Sequence, residues 1–291
     1  MLWSASASAK RHDDAPVMQT TLRDDLAFEG VGLHSGAPAS MRIRPTAADS
    51  GLAFVLAGGA GRPVRVPATA EYVIDTSRAT VIGRDGASVS TIEHVLSALF
   101  GMGVSNADIE VRGPEIPVLD GSSKIYAQAI ESVGTVDQGV VRKEFVVDAP
   151  FEMRRGDRAV IILPAPEFRV RFVAEFAAPV GVQYFDGVID PATYASDIAS
   201  ARTFGYLHEV EALRARGLAL GGSLENALVF DAEGPMQPLR WPNEVVRHKV
   251  LDLIGDFSLL GAWPRFEIVA IKSGHELHAQ VTQALRERHR G

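Results

Sequence analysis

The sequence predicts an α+β fold of two similar sheet-plus-helix domains, which are duplicated β-α-α-β layers packed face to face around a candidate active site. One observation is that some segments alternate apolar and polar residues as half-buried strands do, whereas others repeat apolar residues with helical spacing. Another is that residues 91–111 and 245–271 share one order: a helix with an early histidine, a turn containing glycine, and an alternating strand. Such self-similarity is typical of a duplicated unit.

The individual elements follow from the same patterns. Strand-like alternation occurs at 39–45, 107–112, 168–176 and 266–273. Helical periodicity occurs at 91–101, 122–134, 207–217 and 244–260, and three of these helices have a glycine placed to end them. Residues 135–145 break the helical pattern, so a domain boundary is expected near 135–150. The predicted division is a flexible lead-in over 1–18, a first domain over 19–140 and a second over 141–291.

Composition limits the classes of function. The chain has 291 residues, 46% of them hydrophobic, so it can bury a large core. Its net charge of −7 argues against a nucleic-acid partner, which needs clustered lysine and arginine. No apolar run approaches the ~20 residues of a transmembrane segment, and residues 1–18 lack the apolar centre of a signal peptide. We therefore expect a cytoplasmic protein, and without cysteine any metal must be held by N and O ligands.

A helix near the C-terminal end carries His248, Asp252 and Asp256 at four-residue steps, which places them along one stripe. His248 and Asp252 have the separation needed to bind one ion together, and His94 of the matching helix would supply a third ligand. Three N/O ligands with an open position describe a catalytic zinc site. Glu93 precedes His94, so a carboxylate would lie beside the metal and could take a proton from water.

An ordinary contact on a helix surface is the more frequent meaning of such a pair. A histidine and an aspartate four residues apart usually contribute only ~0.2–0.5 kcal/mol to helix stability. His94 and His248 are also far apart in the sequence, so spacing alone does not bring them together. The pattern by itself leaves both readings open.

The chain as a whole resembles the UDP-3-O-acyl-N-acetylglucosamine deacetylases, the zinc amidases that take the committed step of lipid A synthesis. The matching stretches occur in the family's order and span nearly the whole chain, which makes their combination specific. They are 30-GVGLHSG-36, 90-STIEHVLSALFGMGVSNADIEV-111, 114-PEIPVLDGSS-123, 201-ARTFGYLHEVEALRARGLALGGSLENALVF-230, 246-VRHKVLDLIGD-256 and 271-IKSGH-275.

The resemblance implies that these residues meet in one active site, and it implies a role for each. The implied zinc ligands are His94, His248 and Asp252. Glu93 matches the carboxylate that activates water, and His275 matches a protonated histidine that stabilises the oxyanion and helps the amine leave. The implied helpers are Asp256, which orients and charges that histidine, and Thr203, which joins zinc in polarising the substrate carbonyl. A carboxylate beside an imidazole stabilises the imidazolium, as a general acid requires.

The resemblance also implies a substrate, a UDP-linked acylated amino sugar. Phe204 matches a ring that packs on the sugar or diphosphate, and Lys249 and Lys272 match positions that meet the diphosphate. An insertion around 205–230 would form the passage for the acyl chain, and the residues expected along it are Val210, Gly222, Leu224, Ala227 and Val229. An ordinary buried βαβ unit is compatible with the same pattern. His34 would lie near the site without binding the main zinc.

Some features depart from the family or stay open. The match thins over 144–200, which leaves the uridine contacts undefined, and Arg78 stands near the expected mouth of the site. Iron(II) can replace zinc at an N/O site, and the family implies a monomer. Two other functions remain at this point. One is dehydration of acyl thioesters, and the other is a non-catalytic module that binds a nucleotide sugar or an acyl substrate.

Overall fold

The structure is a computed structural model, and it describes residues 16–290. Residues 1–15, most of the predicted lead-in, lie outside the described residues. The elements of the first half are β1 (Met18–Leu22), β2 (Leu26–Val31), β3 (Pro38–Pro45), β4 (Leu52–Ala57), β5 (Pro63–Pro67), β6 (Val73–Asp75), β7 (Val81–Arg84), β8 (Ala87–Val89), α1 (Glu93–Gly101), β9 (Ala107–Arg112), α2 (Lys124–Val133) and β10 (Thr135–Val141).

The second half repeats much of this order. Its elements are β11 (Glu144–Val146), β12 (Phe151–Arg155), β13 (Arg158–Pro164), β14 (Arg169–Glu175), β15 (Val182–Val188), α3 (Pro191–Thr193) with a π-helical turn (Tyr194–Ile198), β16 (Phe204–Tyr206), α4 (Leu207–Ala215), β17 (Leu228–Phe230), α5 (Glu244–Ser258), β18 (Trp263–Ile271) and α6 (His275–Arg290). The predicted α+β class is confirmed. Within residues 16–290, no helix has both the length and the apolar character needed to cross a bilayer.

The two main sheets have the same topology. The first has the order β2-β3-β9-β4-β5, and the second has the order β12-β13-β18-β14-β15, with β11 added beside β18. In each order the third and fourth strands run parallel, and the other neighbours run antiparallel. Each unit therefore has four strands, a helix, a central strand and a second helix, a longer repeat than the predicted β-α-α-β layer. The domain boundary near residue 140 stays a prediction.

The alternation in the sequence explains how each sheet buries one face. In β9, Ala107, Ile109 and Val111 are buried, whereas Asp108 and Glu110 between them are only partly covered. The buried face packs on the helices of the same half, and α1 is buried along its whole length. The equivalent core of the second half contains the apolar residues of α5 and α6.

Helices α1 and α5 approach each other closely, and this contact joins the two halves. At Gly255 in α5, an added Cβ would lie 2.1 Å from the carbonyl oxygen of Glu93, which is far inside van der Waals contact. Only glycine therefore fits at this point of α5 without moving α1. The close approach places the first turn of α1 beside the middle of α5.

Candidate active site

The α1–α5 contact brings three predicted metal ligands together. One ligand atom each from His94, His248 and Asp252 lies within 4.8 Å of the others, and all three residues are buried. Asp252 Oδ1 lies 3.4 Å from His248 Nε2 and 3.7 Å from His94 Nε2. The predicted convergence of residues from the two helices is therefore observed.

Protein groups fix the charge and orientation of these ligands. His248 Nδ1 donates to the carbonyl oxygen of Ala201 at 3.1 Å, which leaves Nε2 directed at Asp252. Burial lowers the pKa of His94 to about 3 and also lowers that of His248, so both rings are neutral. Burial opposes ionisation of Asp252, but the neighbouring His248 and Lys249 outweigh it and hold the pKa of that carboxyl far below its usual range. Neutral imidazoles beside an ionised carboxylate are the forms that bind a divalent cation.

Glu93 lies at the edge of this cluster. Its Oε2 accepts a hydrogen bond from the backbone N–H of Thr80 at 3.1 Å, and its Oε1 lies 3.7 Å from His275 Nε2. Burial raises the pKa of Glu93 to about 8, and Asp252 and Asp256 add to the rise while His275 opposes it. A cation held by the neighbouring ligands would favour the ionised carboxylate.

His275 is the first residue of α6 and faces Glu93 across the site. Its Nδ1 donates to Asp256 Oδ2 at 2.9 Å, which turns Nε2 toward Glu93 and Asp252. Burial lowers the pKa of His275, but the charges of Asp256, Glu93 and Asp252 outweigh it and raise this pKa to about 9. Burial likewise opposes ionisation of Asp256, yet His275 lowers the pKa of Asp256 to about 2. The pair is therefore an imidazolium beside a carboxylate at neutral pH.

Sequence reasoning missed two residues of this network. Thr80 donates its hydroxyl to Asp256 Oδ1 at 2.6 Å, and His278 donates Nδ1–H to Asp256 Oδ2 at 2.8 Å. Thr80 belongs to the stretch 75-DTSRATVIG-83, in which the sequence predicts a place near the site only for Arg78. His278 follows His275 by three residues, and this helical spacing was the available signal.

A cavity of about 680 Å³ opens from the cluster toward the insertion. Glu93, Thr203 and His275 line its inner end. Thr203 is held there by its backbone, since its N–H donates to the carbonyl oxygen of Gly121 at 2.7 Å and its own carbonyl accepts from Leu228. The five residues predicted for the acyl passage also line the cavity, namely Val210, Gly222, Leu224, Ala227 and Val229.

Of the three residues predicted to contact the sugar or the diphosphate, two line this cavity and one does not. Phe204 lines it, and its ring meets that of His248 edge-on at 6.1 Å between centroids. Lys249 also lines it, but its Nζ donates to Asp252 Oδ2 at 2.6 Å, so it balances the charge of a predicted metal ligand. Lys272 does not line the cavity and pairs with Asp157 at 2.5 Å and Glu175 at 2.9 Å. Its predicted contact with a diphosphate stays a prediction.

Two residues named for their position near the site are found there. His34 and Arg78 both line the cavity, and Arg78 is exposed with a left-handed backbone, φ 83°. The loop of His34 is fixed by Glu115, whose carboxylate accepts the backbone N–H groups of His34 and Ser35. The ligand group formed by α1 and α5 contains His94, His248 and Asp252, and the role of His34 beside it stays a prediction.

Comparison of the sequence with known protein families gives a match over nearly the whole chain. The family model of UDP-3-O-acyl N-acetylglycosamine deacetylases matches residues 19–287. The chain belongs to this family. The family's members are metal-dependent deacetylases, which agrees with the ligand group at the α1–α5 contact. The resemblance predicted from the sequence, and the enzyme class with it, is confirmed.

Individual relatives are similar along nearly their whole length. The UDP-3-O-acyl-N-acetylglucosamine deacetylase of Syntrophotalea carbinolica is 42% identical over 272 residues, which cover 92% of this chain and 88% of the relative. The enzyme of that name from Myxococcus xanthus is 43% identical, covering 91% and 85%. That of Phenylobacterium zucineum is 41% identical, covering 94% of each chain.

Proposed function

We propose that this deacetylase hydrolyses the N-acetyl group of a UDP-3-O-(3-hydroxyacyl)-N-acetylglucosamine with Zn²⁺, releasing acetate in the committed step of lipid A biosynthesis. The observation that carries the proposal is one cavity that joins a two-histidine, one-aspartate cluster, a base and acid pair, and an apolar passage. A deacetylase for an acylated sugar needs all three parts.

The donor set fits zinc. His94, His248 and Asp252 offer two imidazole nitrogens and one carboxylate oxygen, which is a usual set for a catalytic zinc with an open position. The hydrogen bond from His248 Nδ1 to a backbone carbonyl is the support that metal-binding histidines normally have. Iron(II) suits the same ligands, so the ion present in the cell depends on supply as well as affinity. When bound, the ion would lower the pKa of water and polarise the amide carbonyl.

The remaining groups divide the proton transfers. In the proposed reaction Glu93 takes a proton from the attacking water, whose oxygen bonds to the acetyl carbon. His275 carries a proton on Nε2, only 3.7 Å from Glu93 Oε1, and gives it to the nitrogen as the C–N bond breaks. Thr203 lines the same end of the cavity and is proposed to hydrogen-bond the carbonyl oxygen as charge develops there.

The outer part of the cavity is proposed to bind the rest of the substrate. Leu224, Ala227 and Val229 would contact the acyl chain, because they are apolar and line the same cavity as Thr203. Phe204 would pack on the sugar, and Lys249, though paired with Asp252, would offer its remaining donors to the diphosphate.

The decisive experiment combines metal analysis with a deacetylation assay on the purified protein. We expect one tightly bound zinc or iron per chain and release of acetate and a free amine from the acylated UDP-sugar, with activity lost on chelation and restored by Zn²⁺. Tight binding of the substrate without product, in the presence of zinc, would favour the non-catalytic alternative. Dehydration of an acyl thioester without deacetylation would favour the other.

A further inference from the structure

His278 is buried beside the candidate acid without contacting the cavity. Its side chain has 0% exposure, and its ring packs near those of Phe257 and Phe172 at 6.1 and 6.5 Å between centroids. Both ring nitrogens have partners: Nδ1 lies 2.8 Å from Asp256 Oδ2, and Nε2 lies 2.8 Å from Ser273 Oγ. A histidine that only filled space among phenylalanines would leave a costly pair of polar atoms in the core, so these two bonds define its role.

The partners fix which form of the ring is present. The ionised Asp256 carboxylate can only accept, so His278 Nδ1 must donate to it. The imidazolium of His275 already donates to the same Asp256 oxygen. If His278 were also an imidazolium, the two positive rings would repel each other strongly in a site shielded from water. His278 is therefore neutral, its Nε2 accepts the hydroxyl of Ser273, and burial lowers its pKa in agreement.

Asp256 is consequently held from three sides. Its Oδ1 accepts from Thr80 at 2.6 Å, and its Oδ2 accepts from His275 and His278 at 2.9 and 2.8 Å. Without His278, the carboxylate would keep the bond from Thr80 on Oδ1, but Oδ2 would be bound only to His275, the group that it has to orient. The bond from His278, which is anchored in turn by Ser273, gives Oδ2 a second, fixed partner.

We propose that His278 is a positioning residue of this deacetylase: it fixes the Asp256 carboxylate and thereby aims His275 Nε2 at the point where the amine leaves. This inference rests on the function proposed above. A small displacement of a catalytic group lowers the rate strongly while leaving substrate contacts in place. The effect is therefore expected on kcat and not on KM.

Two variants at this position separate the hydrogen bond from the volume. His278→Phe keeps a ring of similar size and removes the donor, and we expect kcat to fall ~10–100-fold, as is usual for groups that orient active-site residues. KM and metal content should stay near wild type. In His278→Asn the amide nitrogen occupies almost the place of Nδ1, so the bond to Asp256 is kept and most of kcat should return. Leu285→Ala is the control, since it removes a buried side chain of the same helix about two turns beyond His278 and should lower only the melting temperature.

A spectroscopic measurement tests the hydrogen bonds without using activity. Imidazole N–H protons bound to a buried carboxylate resonate far downfield of amide protons, so wild type should show two such signals and His278→Phe only one. If the wild type failed to deacetylate, the proposed function would fall while these signals still tested the contacts. An unchanged kcat in His278→Phe would overturn the positioning role. So would an equal loss of kcat in Leu285→Ala.

Discussion

The α1–α5 contact and the passage formed by α4, β16 and β17 make opposite use of polar and apolar side chains. At the contact, Glu93, Asp252 and Asp256 are at most 3% exposed. Along the passage, Leu207, Leu224 and Met236 line the cavity with 47%, 51% and 43% of their surface exposed. One region buries charge and the other leaves apolar surface open, and both arrangements are unfavourable unless something compensates.

The compensation differs between the two regions. The buried charges bind one another through short contacts, so each group has a fixed place and a shifted pKa. The two leucines and the methionine stay exposed among the described residues, and the proposed acyl chain would cover them. Changes at the contact should therefore alter turnover, metal binding and pH dependence, whereas changes along the passage should alter the affinity for the acyl chain.

The largest effect is expected for Glu93→Ala. Removing the base should lower kcat by roughly 10²–10⁴-fold, the usual contribution of a general base. Zinc content should stay near one per chain, because the three ligands are untouched, and His94→Ala serves as the variant that loses metal. Loss of zinc from Glu93→Ala, measured by metal analysis, would place Glu93 among the ligands.

Asp256→Asn should move the alkaline limb of the pH–rate profile to lower pH. His275 must be protonated to act as the acid, and the charge of Asp256 is the chief cause that holds its pKa above the ordinary value, at about 9. Without that charge burial prevails, and the limb should fall by ~1–3 pH units. The ascending limb, which reports Glu93 and the metal-coupled water, should move less, also to lower pH, because Asp256 makes only a minor contribution to the raised pKa of Glu93.

The control for this shift is His275→Gln, which should lower the rate and flatten the alkaline limb with zinc still bound. The measurement is kcat/KM from about pH 5 to 10 with metal content followed throughout. An unmoved alkaline limb in Asp256→Asn at normal zinc content would count against His275 as the acid.

Gly255→Ala should loosen the contact between the two halves. The new Cβ would meet the carbonyl oxygen of Glu93 at 2.1 Å, so α1 and α5 must separate. We expect a loss of ~1–3 kcal/mol in the free energy of unfolding, typical of overpacking, and weaker zinc binding. Gly59→Ala, where an added Cβ meets nothing within 4 Å, is the matched control. Equal stability of the two variants would contradict the importance of this close approach.

At the α1–α5 contact, the sequence predicts correctly the arrangement of residues that lie on a single helix. The four-residue spacing of His248, Asp252 and Asp256 survives in the structure, because a helix maps such a spacing onto one face. The alternation in β3, β9, β14 and β18 survives for the same kind of reason. Strands of three or four residues, such as β6 and β7, are too short for a period to be recognised.

Contacts that depend on several elements meeting could not be predicted. Thr80 uses a backbone N–H for Glu93 and a hydroxyl for Asp256, and the latter is 176 residues away in the sequence. The side chain of His278 reaches Asp256 only because α6 packs on α5. Lys272 pairs with Asp157, in the turn between β12 and β13, and with Glu175, at the end of β14, and the sequence pattern places neither beside it.

The smallest effect is expected for Leu224→Ser in the passage. Leu224 lines the cavity and keeps 51% of its surface exposed, so an acyl chain that covers it would gain roughly 1 kcal/mol. KM for a long-chain substrate should therefore rise by about fivefold, since 1.4 kcal/mol corresponds to tenfold. The value of kcat should not change, because the residue has no contact with the acid and base.

Two controls test whether the change in KM depends on contact between Leu224 and the acyl chain of the substrate. A substrate with a short acyl group should show no rise in KM with Leu224→Ser, since it would not reach this residue. Leu220→Ser changes a leucine of nearly equal exposure, 49%, that does not line the cavity, so it should leave KM alone. A rise in KM for Leu220→Ser, or for the short substrate, would mean that the loop responds to any loss of apolar surface. The passage would then have to be located elsewhere, and the contrast between the two regions would lose its functional meaning.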